Sequence, residues 1–567
     1  MHVVTNRRQG AQREYVTHLL RRSYREGGKV KNETLANLSH LPPELIELIR
    51  GALGGVRYLP ADEAFVIERS LPAGHVNAAL AMARRLELPR LIDRQSSRER
   101  DLVIAMICQR VIGPASKLAT SRLLGLSTLA DELAVTGADE DELYRALDWL
   151  GERQQRIEDR LARRHLKEGE LVLYDVSSSY FEGRHCPLAK LGYSRDGKRG
   201  TPQIIYGLLC DKAGRPVSVE VFDGNLHDQA TVSAQIEKLR RRFSLSTVVL
   251  VCDRGMVTKA NIELLGEQGI GFVTALKAPQ VAKLVQDGEL QLSLFDQHNL
   301  AEITSLDYPG ERLIVCRNPL VAAERHRKRE DLLAATERAL QEIAERVERG
   351  TLIGAAQIGL AVGAVANRWK VKKHLDIQIT DATLTFARKT GQIEVEAALD
   401  GIYILRTSVN ANDLPAADVV RTYKQLKVVE RAFRTFKSPE LQIRPIHHHL
   451  EHRVRAHVFL CTLAYYLTWH LHQAWKPLLF TDENPTPSHD PVAKATRSPE
   501  ALTKAQTKHS PAGEPLHSYK SLLAELATQT RNSIRLPGTD TTFDKLAEPT
   551  ATQAHALHLL ANAPVET

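Results

Sequence analysis

What this sequence lacks narrows its chemistry before any motif is read. Its six cysteines (Cys108, Cys186, Cys210, Cys252, Cys316 and Cys461) are scattered, and no two make a CxxC pair. That argues against a zinc ribbon or a disulfide framework and fits a reducing compartment. No run of about 18 apolar residues occurs, so no membrane span is expected. The opening segment, MHVVTNRRQGAQREYV, lacks the apolar core of a signal peptide. A heavy excess of one charge is missing too: 76 Lys and Arg stand against 68 Asp and Glu, a net charge of +8 over 567 residues. This balance permits a nucleic-acid partner without demanding one. The expectation is a soluble cytoplasmic protein long enough for about two to four domains.

Residues 1–165 read as a helical N-terminal region suited to binding DNA. Arg25, Lys29 and Lys31 precede a Pro-Pro helix start at 42–43. Within the helical stretch 97–165, residues 114–123 form a short segment with a serine cap after an earlier helix. A helix-turn-helix there would put Lys117, Ser121 and Arg122 on DNA. An ordinary helical bundle accounts for the same pattern.

At residue 171 the texture changes. LVLYD is a short buried strand ending in Asp175, and VSSSYFEG reads as a polar turn after it. GYSRDGKRG then leads to two strands, QIIYGLLCD and RPVSVEVFDGN, joined by a short connection. A helix over 227–243 carries Arg240, Arg241 and Arg242 at its C-terminus, as the helix dipole favours. VVLVCD is a second buried strand ending in an aspartate, Asp253, and a helix over 259–268 and a strand over 271–276 follow. Three strands, helix, strand, helix, strand predict an α/β fold matching a ribonuclease H-like core, spanning 166–277 and 399–480. Two aspartates at the ends of neighbouring buried strands are costly unless something positive lies between them.

Residues 278–398 interrupt this order with strand-like runs around one charged helix near 324–348, and predict a β-rich insertion with a solvated arm. GIYILRT then returns to a buried strand. Residues 423–437, YKQLKVVERAFRTFK, read as one amphipathic helix, started by Asp413-Leu414-Pro415 and stopped by Ser438-Pro439. Leu426, Val429, Ala432, Phe433 and Phe436 make its apolar stripe, beside Tyr423, Lys427, Glu430, Arg434 and Lys437. Taken alone, a glutamate among cations is explained by helix-surface pairing. The histidine run at 447–457 offers two metal ligands at helical spacing with no cysteine. It reads instead as the start of a helix packed on the core, with Arg453 and Arg455 exposed. Residues 481–515 predict a flexible linker, and 516–567 a short helical C-terminal region.

Three stretches together resemble the DDE transposases of bacterial insertion sequences: LVLYDVSSSYFEG with Asp175, VVLVCDRGM with Asp253, and YKQLKVVERAFRTFK with Glu430. The gap from Asp253 to Glu430 is more than twice that from Asp175 to Asp253. The cut-and-paste branch of the family places its β-rich insertion there, before the catalytic glutamate. VFDGNLHD resembles the branch's Gly-Asn segment. Tyr423, Glu430 and Lys437 match the branch's glutamate helix in register, but Leu426 stands where it carries arginine.

The resemblance implies an enzyme that cleaves DNA and transfers strands at an element's terminal inverted repeats. Asp175, Asp253 and Glu430 would be both catalytic and metal-binding, holding two Mg²⁺ ions, with Mn²⁺ able to substitute. It implies DNA contacts from Tyr423, Lys437, Arg254, Arg434 and Lys427. Trp369, between cations, is the aromatic suited to stack on a flipped base, although a core position is its plainer reading. The implied partners are double-stranded DNA, as element ends and target, and a second copy of the chain, in a bacterial cytoplasm at the nucleoid. The competing readings are a ribonuclease H-like nuclease that does not join strands and a DNA-binding protein whose catalysis has lapsed.

Overall fold

The computed structural model describes residues 1–9, 14–58, 60, 63–183, 185–295, 298–486 and 488–564. The chain divides into two compact units, Met1–Leu71 with Thr530–Ala547, and Pro72–Gln529 with Glu548–Thr567.

The first unit departs from the expected helical N-terminus. β1 (His2–Gln9), β2 (Glu14–Glu26) and β3 (Lys29–Asn37) form an antiparallel meander, and α1 (Pro43–Leu53) packs on β1. The basic residues read as helix flanks are strand residues: Arg25 pairs with Val30 across the turn at Gly27-Gly28, where both glycines have positive φ. β4 (Val66–Pro72) belongs to a separate small sheet.

The second unit opens with helices α2 (Gly74–Arg85), α3 (Leu88–Ile92), α4 (Arg98–Ile112), α5 (Lys117–Leu123), α6 (Leu129–Glu132) and α7 (Glu140–His165). Ser116 does cap α5, accepting from the Ala119 N–H at 3.1 Å. Lys117 is nevertheless buried, and burial pushes its amine down to about 7 with the Arg110 charge adding to the effect. This lysine faces the core, so the helical-bundle reading holds for it and a groove contact does not.

Among the described residues the largest sheet has eight strands. They are β5 (Leu171–Tyr180), β6 (Gln203–Asp211), β7 (Pro216–Phe222), β8 (Val249–Cys252), β9 (Gly271–Ala275), β10 (Leu300–Ile303), β11 (Arg312–Arg317) and β14 (Ile402–Thr407), in the order β10-β11-β14-β9-β8-β5-β6-β7. β5, β6 and β7 are antiparallel neighbours, while β5-β8 and β8-β9 are parallel. α8 (Asp228–Glu237) and α9 (Lys259–Glu267) follow β7 and β8. The VSSSY segment expected as a turn is instead the second half of β5. Its serines are buried and satisfied in place: Ser179 bonds the Tyr206 hydroxyl at 3.0 Å, and Ser178 accepts from the Arg195 N–H at 3.1 Å.

The expected β-rich insertion is mainly helical. α10 (Ala278–Gln286), β10 and β11 extend the main sheet's side of the chain, and only then does the chain leave it. The excursion holds α11 (Pro319–Glu348), α12 (Ala355–Trp369), the hairpin β12 (Leu375–Ile379)–β13 (Leu384–Arg388), and α13 (Thr390–Ala398). The charged helix is no solvated arm. Leu333, Leu340, Ile343 and Val347 line up on one side of α11 and bury against Ile358 and Val362 of α12. Its two chain ends meet at a neck where the Asn318 N–H donates to the Gly401 carbonyl at 2.9 Å. Gly401 has φ +77°, and a Cβ there would stand 2.4 Å from the Asn318 oxygen, so the neck admits only glycine.

The helix read as one element is two, α14 (Ala416–Lys424) and α15 (Leu426–Lys437), meeting at Gln425. Pro415, not Asp413, is the N-cap. The predicted stripe of Leu426, Val429, Ala432, Phe433 and Phe436 is buried throughout, and α15 lies against β5. α16 (Glu451–Ala474) is apolar on nearly every side and is buried between α4, α7, β7 and α15. Its Arg453 is only partly exposed, paired with Asp148 at 2.8 Å, and Arg455 donates to the Val221 carbonyl, so both are drawn inward. The expected linker is a fixed strap. The Lys424 ammonium donates to the carbonyls of Pro491, Val492 and Ala493 at 2.6–2.9 Å, and Asn299 bonds Asp490. α17 (Pro499–Thr507) lies within it. α18 (Tyr519–Ala527) and α19 (Ala551–Asn562) are helical as expected, but β15 (Thr530–Arg535) and β16 (Thr542–Leu546) form a hairpin with β4.

Gly224, in the VFDGN segment, is tightly enclosed. Its N–H bonds Leu188, its carbonyl accepts from the Gln203 amide, and a Cβ would fall 1.8 Å from the Gln203 carbonyl oxygen. Gly224→Ala is therefore expected to destabilise the protein by about 2 kcal/mol or more, since backbone rather than a flexible side chain must give way. A urea titration of the full chain, compared with wild type, checks this.

Candidate active site

Sheet register brings the two aspartates together. β5 and β8 run parallel with Tyr174 opposite Cys252. One residue further on, Asp175 and Asp253 stand side by side, roughly 5 Å apart at the backbone, as neighbouring strands are. Asp175 is still inside β5, opposite Leu208 of β6, and Asp253 is the first residue past β8. α15, laid on β5 by its apolar stripe, carries the exposed Glu430 on its other flank.

The electrostatics follow from this packing. Burial raises the Asp175 carboxyl to about 7, opposed by a hydrogen bond from the Val176 N–H at 2.8 Å and reinforced by the negative charges of Asp253 and Glu430. Asp253 is exposed. Its Oδ1 accepts from the Arg254 N–H at 2.7 Å and from the Tyr423 hydroxyl at 3.0 Å. Burial, then the Asp253 charge, holds the Tyr423 phenol well above its usual range, so it stays protonated and donates. Tyr423, implied as a DNA contact, thus orients a carboxylate here.

The other expected residues separate into two groups. Arg254, Lys427 and Arg434 are exposed, with Lys427 and Arg434 three and four residues either side of Glu430 and so on its flank of the helix. Leu426 is buried, so the register position the related branch fills with arginine faces the core here. Trp369 ends α12 and packs partly buried against the core of the excursion, with the Arg368 guanidinium 4.8 Å from its ring. That is the core position of its plainer reading.

Lys437, implied as a DNA contact, is engaged within the protein. Its Nζ lies 2.9 Å from Asp196 Oδ1, and Arg444 Nη1 lies 2.5 Å from the same oxygen. Sequence reading passed over Asp196, Arg444 and Arg195. The available signal was one aspartate in a cationic, glycine-bracketed run, SRDGKRG, directly after the Asp175 strand. One guanidinium nitrogen of Arg195, Nη2, donates to both carboxylate oxygens of Asp228 at 2.5 and 2.6 Å. A cleft of about 480 Å³ beside these groups is lined by Arg195, His227, Asp228, Arg254 and Lys277.

Among the described residues, no three carboxylate, histidine or cysteine side chains stand close enough to enclose one ion. Magnesium rarely uses an all-protein cage; it takes one or two carboxylates and completes its shell with water and phosphate oxygens. The donors are hard oxygens, and burial, with the charges of Asp253 and Glu430 adding to it, makes an ionised Asp175 costly in a way such an ion would relieve, so the residues fit.

Residues 168–467 match the transposase DDE domain family. The match spans more than half of the chain, and the protein belongs to that family: it is a DDE-type transposase, an enzyme that acts on DNA with divalent metal ions. Residues 1–58 match the N-terminal domain of the IS1634 family of transposases, in keeping with an insertion-sequence enzyme. A comparison with curated proteins found no match. Among solved structures, the piggyBac transposase synaptic complex with hairpin DNA is similar at 10% identity, covering 80% of this chain and 76% of that one, with a TM-score of 0.34.

The raised Asp175 carboxyl gives a signed prediction. In the metal-free protein the group is neutral in both folded and unfolded states below about 3.8, and its cost to folding builds as pH rises towards 7. Asp175→Asn is expected to raise the melting temperature of the metal-free protein by a few degrees at pH 8 and to leave it nearly unchanged at pH 4. Added Mn²⁺ should stabilise wild type at pH 8 and much less at pH 5.5, where the carboxyl must first lose its proton. Thermal melts across pH, with and without Mn²⁺, measure both.

Proposed function

We propose that the protein cuts DNA at the ends of an insertion sequence and joins those ends to target DNA, with Asp175, Asp253 and Glu430 as the metal-binding catalytic residues. The observation carrying this reading is the β5–β8 register, which sets Asp175 beside Asp253 under the helix that bears Glu430. The β7-β6-β5-β8-β9 order, three antiparallel strands followed by two parallel ones, supports a ribonuclease H-like core.

In this reading Asp175, the most enclosed of the three, would hold two Mg²⁺ ions together with Asp253 and Glu430, and Mn²⁺ would substitute. When bound, the cations favour deprotonation of the attacking water or 3′-hydroxyl and stabilise the departing oxygen. The protein's own residues position. The Tyr423 hydroxyl and the Arg254 N–H fix the orientation of Asp253, and the buried stripe of α15 holds Glu430 at its distance. Arg254, Lys427 and Arg434 attract the DNA backbone around the site. A homodimer, one copy per element end, fits an enzyme that must join two ends to one target.

On a labelled duplex ending in the element's terminal repeat, with Mg²⁺ or Mn²⁺, wild type is expected to nick at the repeat boundary. Asp253→Ala should bind the same duplex and cut at least about a thousandfold more slowly, and EDTA should abolish wild-type cutting. Wild-type cleavage with no preference for the repeat would favour a general nuclease. Binding without cleavage by wild type would favour a lapsed enzyme.

A further inference from the structure

Asp196 is a carboxylate that nothing in the three-carboxylate site requires. Its side chain is 2% exposed, yet one of its oxygens takes both Lys437 and Arg444, and the other accepts the Tyr180 N–H at 3.1 Å. Tyr180 ends the strand that carries Asp175, and Lys437 lies two turns along the helix from Glu430, roughly 10 Å. Asp196 therefore joins the two elements that bear catalytic carboxylates.

Each partner of Asp196 is itself fixed. Arg444 follows the buried Ile443, whose N–H bonds the Phe436 carbonyl at 2.8 Å. The buried Arg110 guanidinium grips the carbonyls of Leu441 and Gln442, each at 3.2 Å. The Arg195–Asp196 segment is held by the Arg195 N–H on Ser178. Lys198 lies over the Tyr180 ring at 3.6 Å and 3.8 Å from Glu182, and Arg195 is paired with Asp228. Those neighbouring charges are balanced one for one. Lys437 and Arg444 share a single carboxylate, and this leaves one positive charge in excess on a shelf where their side chains remain 15% and 25% exposed.

A surplus cation in a half-buried place is costly without an anion. Burial lowers the Lys437 amine despite Asp196, with Arg444 and Arg195 adding to the effect. Burial alone would raise the Asp196 carboxyl, but Lys437 and Arg444 bring it below its ordinary value, so it stays ionised. The geometry points to a phosphate clamp made of Lys437 and Arg444 and held by Asp196, whose ligand is a DNA backbone phosphate close to the one being cut. Asp196 is a positioning residue: it spends one charge to set two donors at a fixed separation and leaves the remaining charge for the phosphate. The clamp rests on the proposed assignment of the cleavage site to Asp175, Asp253 and Glu430.

The test uses the full chain and the terminal-repeat duplex in two measurements. One is binding over a salt series without divalent ions; the other is single-turnover cleavage with Mn²⁺ at saturating DNA. Arg444→Gln and Lys437→Gln are each expected to weaken binding and to reduce the salt slope by about one ion. Asp196→Asn should bind as tightly as wild type or tighter, having lost a negative charge, while cleaving about tenfold or more slowly. A residue needed only for folding would not separate affinity from rate in that way. Because Asp196→Asn leaves two cations facing each other, Asp196→Asn with Lys437→Gln restores the balance, and it should cleave more slowly than Lys437→Gln alone. An unchanged salt slope in Arg444→Gln, or wild-type cleavage by folded Asp196→Asn, overturns the clamp. If wild type cuts, Asp253→Ala does not, and these variants match wild type, the clamp fails and the carboxylate assignment stands. If Asp253→Ala cuts normally, the assignment itself fails.

Discussion

Like charges forced together by backbone pairing are the constraint on which this structure turns. The parallel register of β5 and β8 cannot place Tyr174 against Cys252 without setting Asp175 against Asp253. Water would disperse that repulsion, but Asp175 is half-buried, between the buried serines of β5 and the helix laid on that strand. The repulsion persists because the fold around it is well secured. Buried strands lie on both sides of β5, α15 covers it, and α16 runs behind with hardly a polar face. The site is an electrostatic debt that a doubly charged cation is suited to settle, and the surrounding core is large enough to carry it meanwhile.

The basic groups near the site differ in how firmly they are held. Arg254, Lys427 and Arg434 are exposed and contribute mainly to the field that draws in a polyanion. Tyr423, Lys437 and Arg444 have partners already, and their directions are set before any DNA arrives. The tyrosine holds a carboxylate and the two cations hold Asp196, so these three are less free to move than the exposed basic groups. Pre-arranged donors avoid reorganisation when charge shifts during reaction.

The strands and the helix that carry these carboxylates were legible because their signals are local and strong. Two apolar runs that each end in aspartate mark the neighbouring strands, and a period of 3.6 over residues 426–436 marks the helix, stripe and flank alike. Elsewhere sequence reading failed where context outweighs local pattern. The meander at 2–37 alternates weakly, and its exposed polar strands carry no buried face to betray them. VSSSY reads as a turn by composition, yet cross-strand pairing and two side-chain partners make it strand. The excursion's apolar helix α12 and charged helix α11 each look incomplete; only together do they make a core. The stretch 481–498 is poor in apolar residues and rich in turn formers, and one ammonium on α14 holds its residues 491–493 through three carbonyls. Asp196 was invisible for a related reason: its meaning lies in Lys437 and Arg444, which the chain supplies more than two hundred residues later.

The neck between Asn318 and Gly401 bears on how such a chain can change over time. The excursion leaves from the end of β11 and comes back at the start of β14, and those two strand ends are hydrogen-bonded neighbours. The Asn318 N–H bonds the Gly401 carbonyl where they meet, and the block between them carries its own apolar interior. An evolving lineage could therefore lengthen, rebuild or exchange this whole block as a cassette while the eight-stranded sheet kept its register. The strict requirement at the junction is small: one glycine, and two strand ends that already touch.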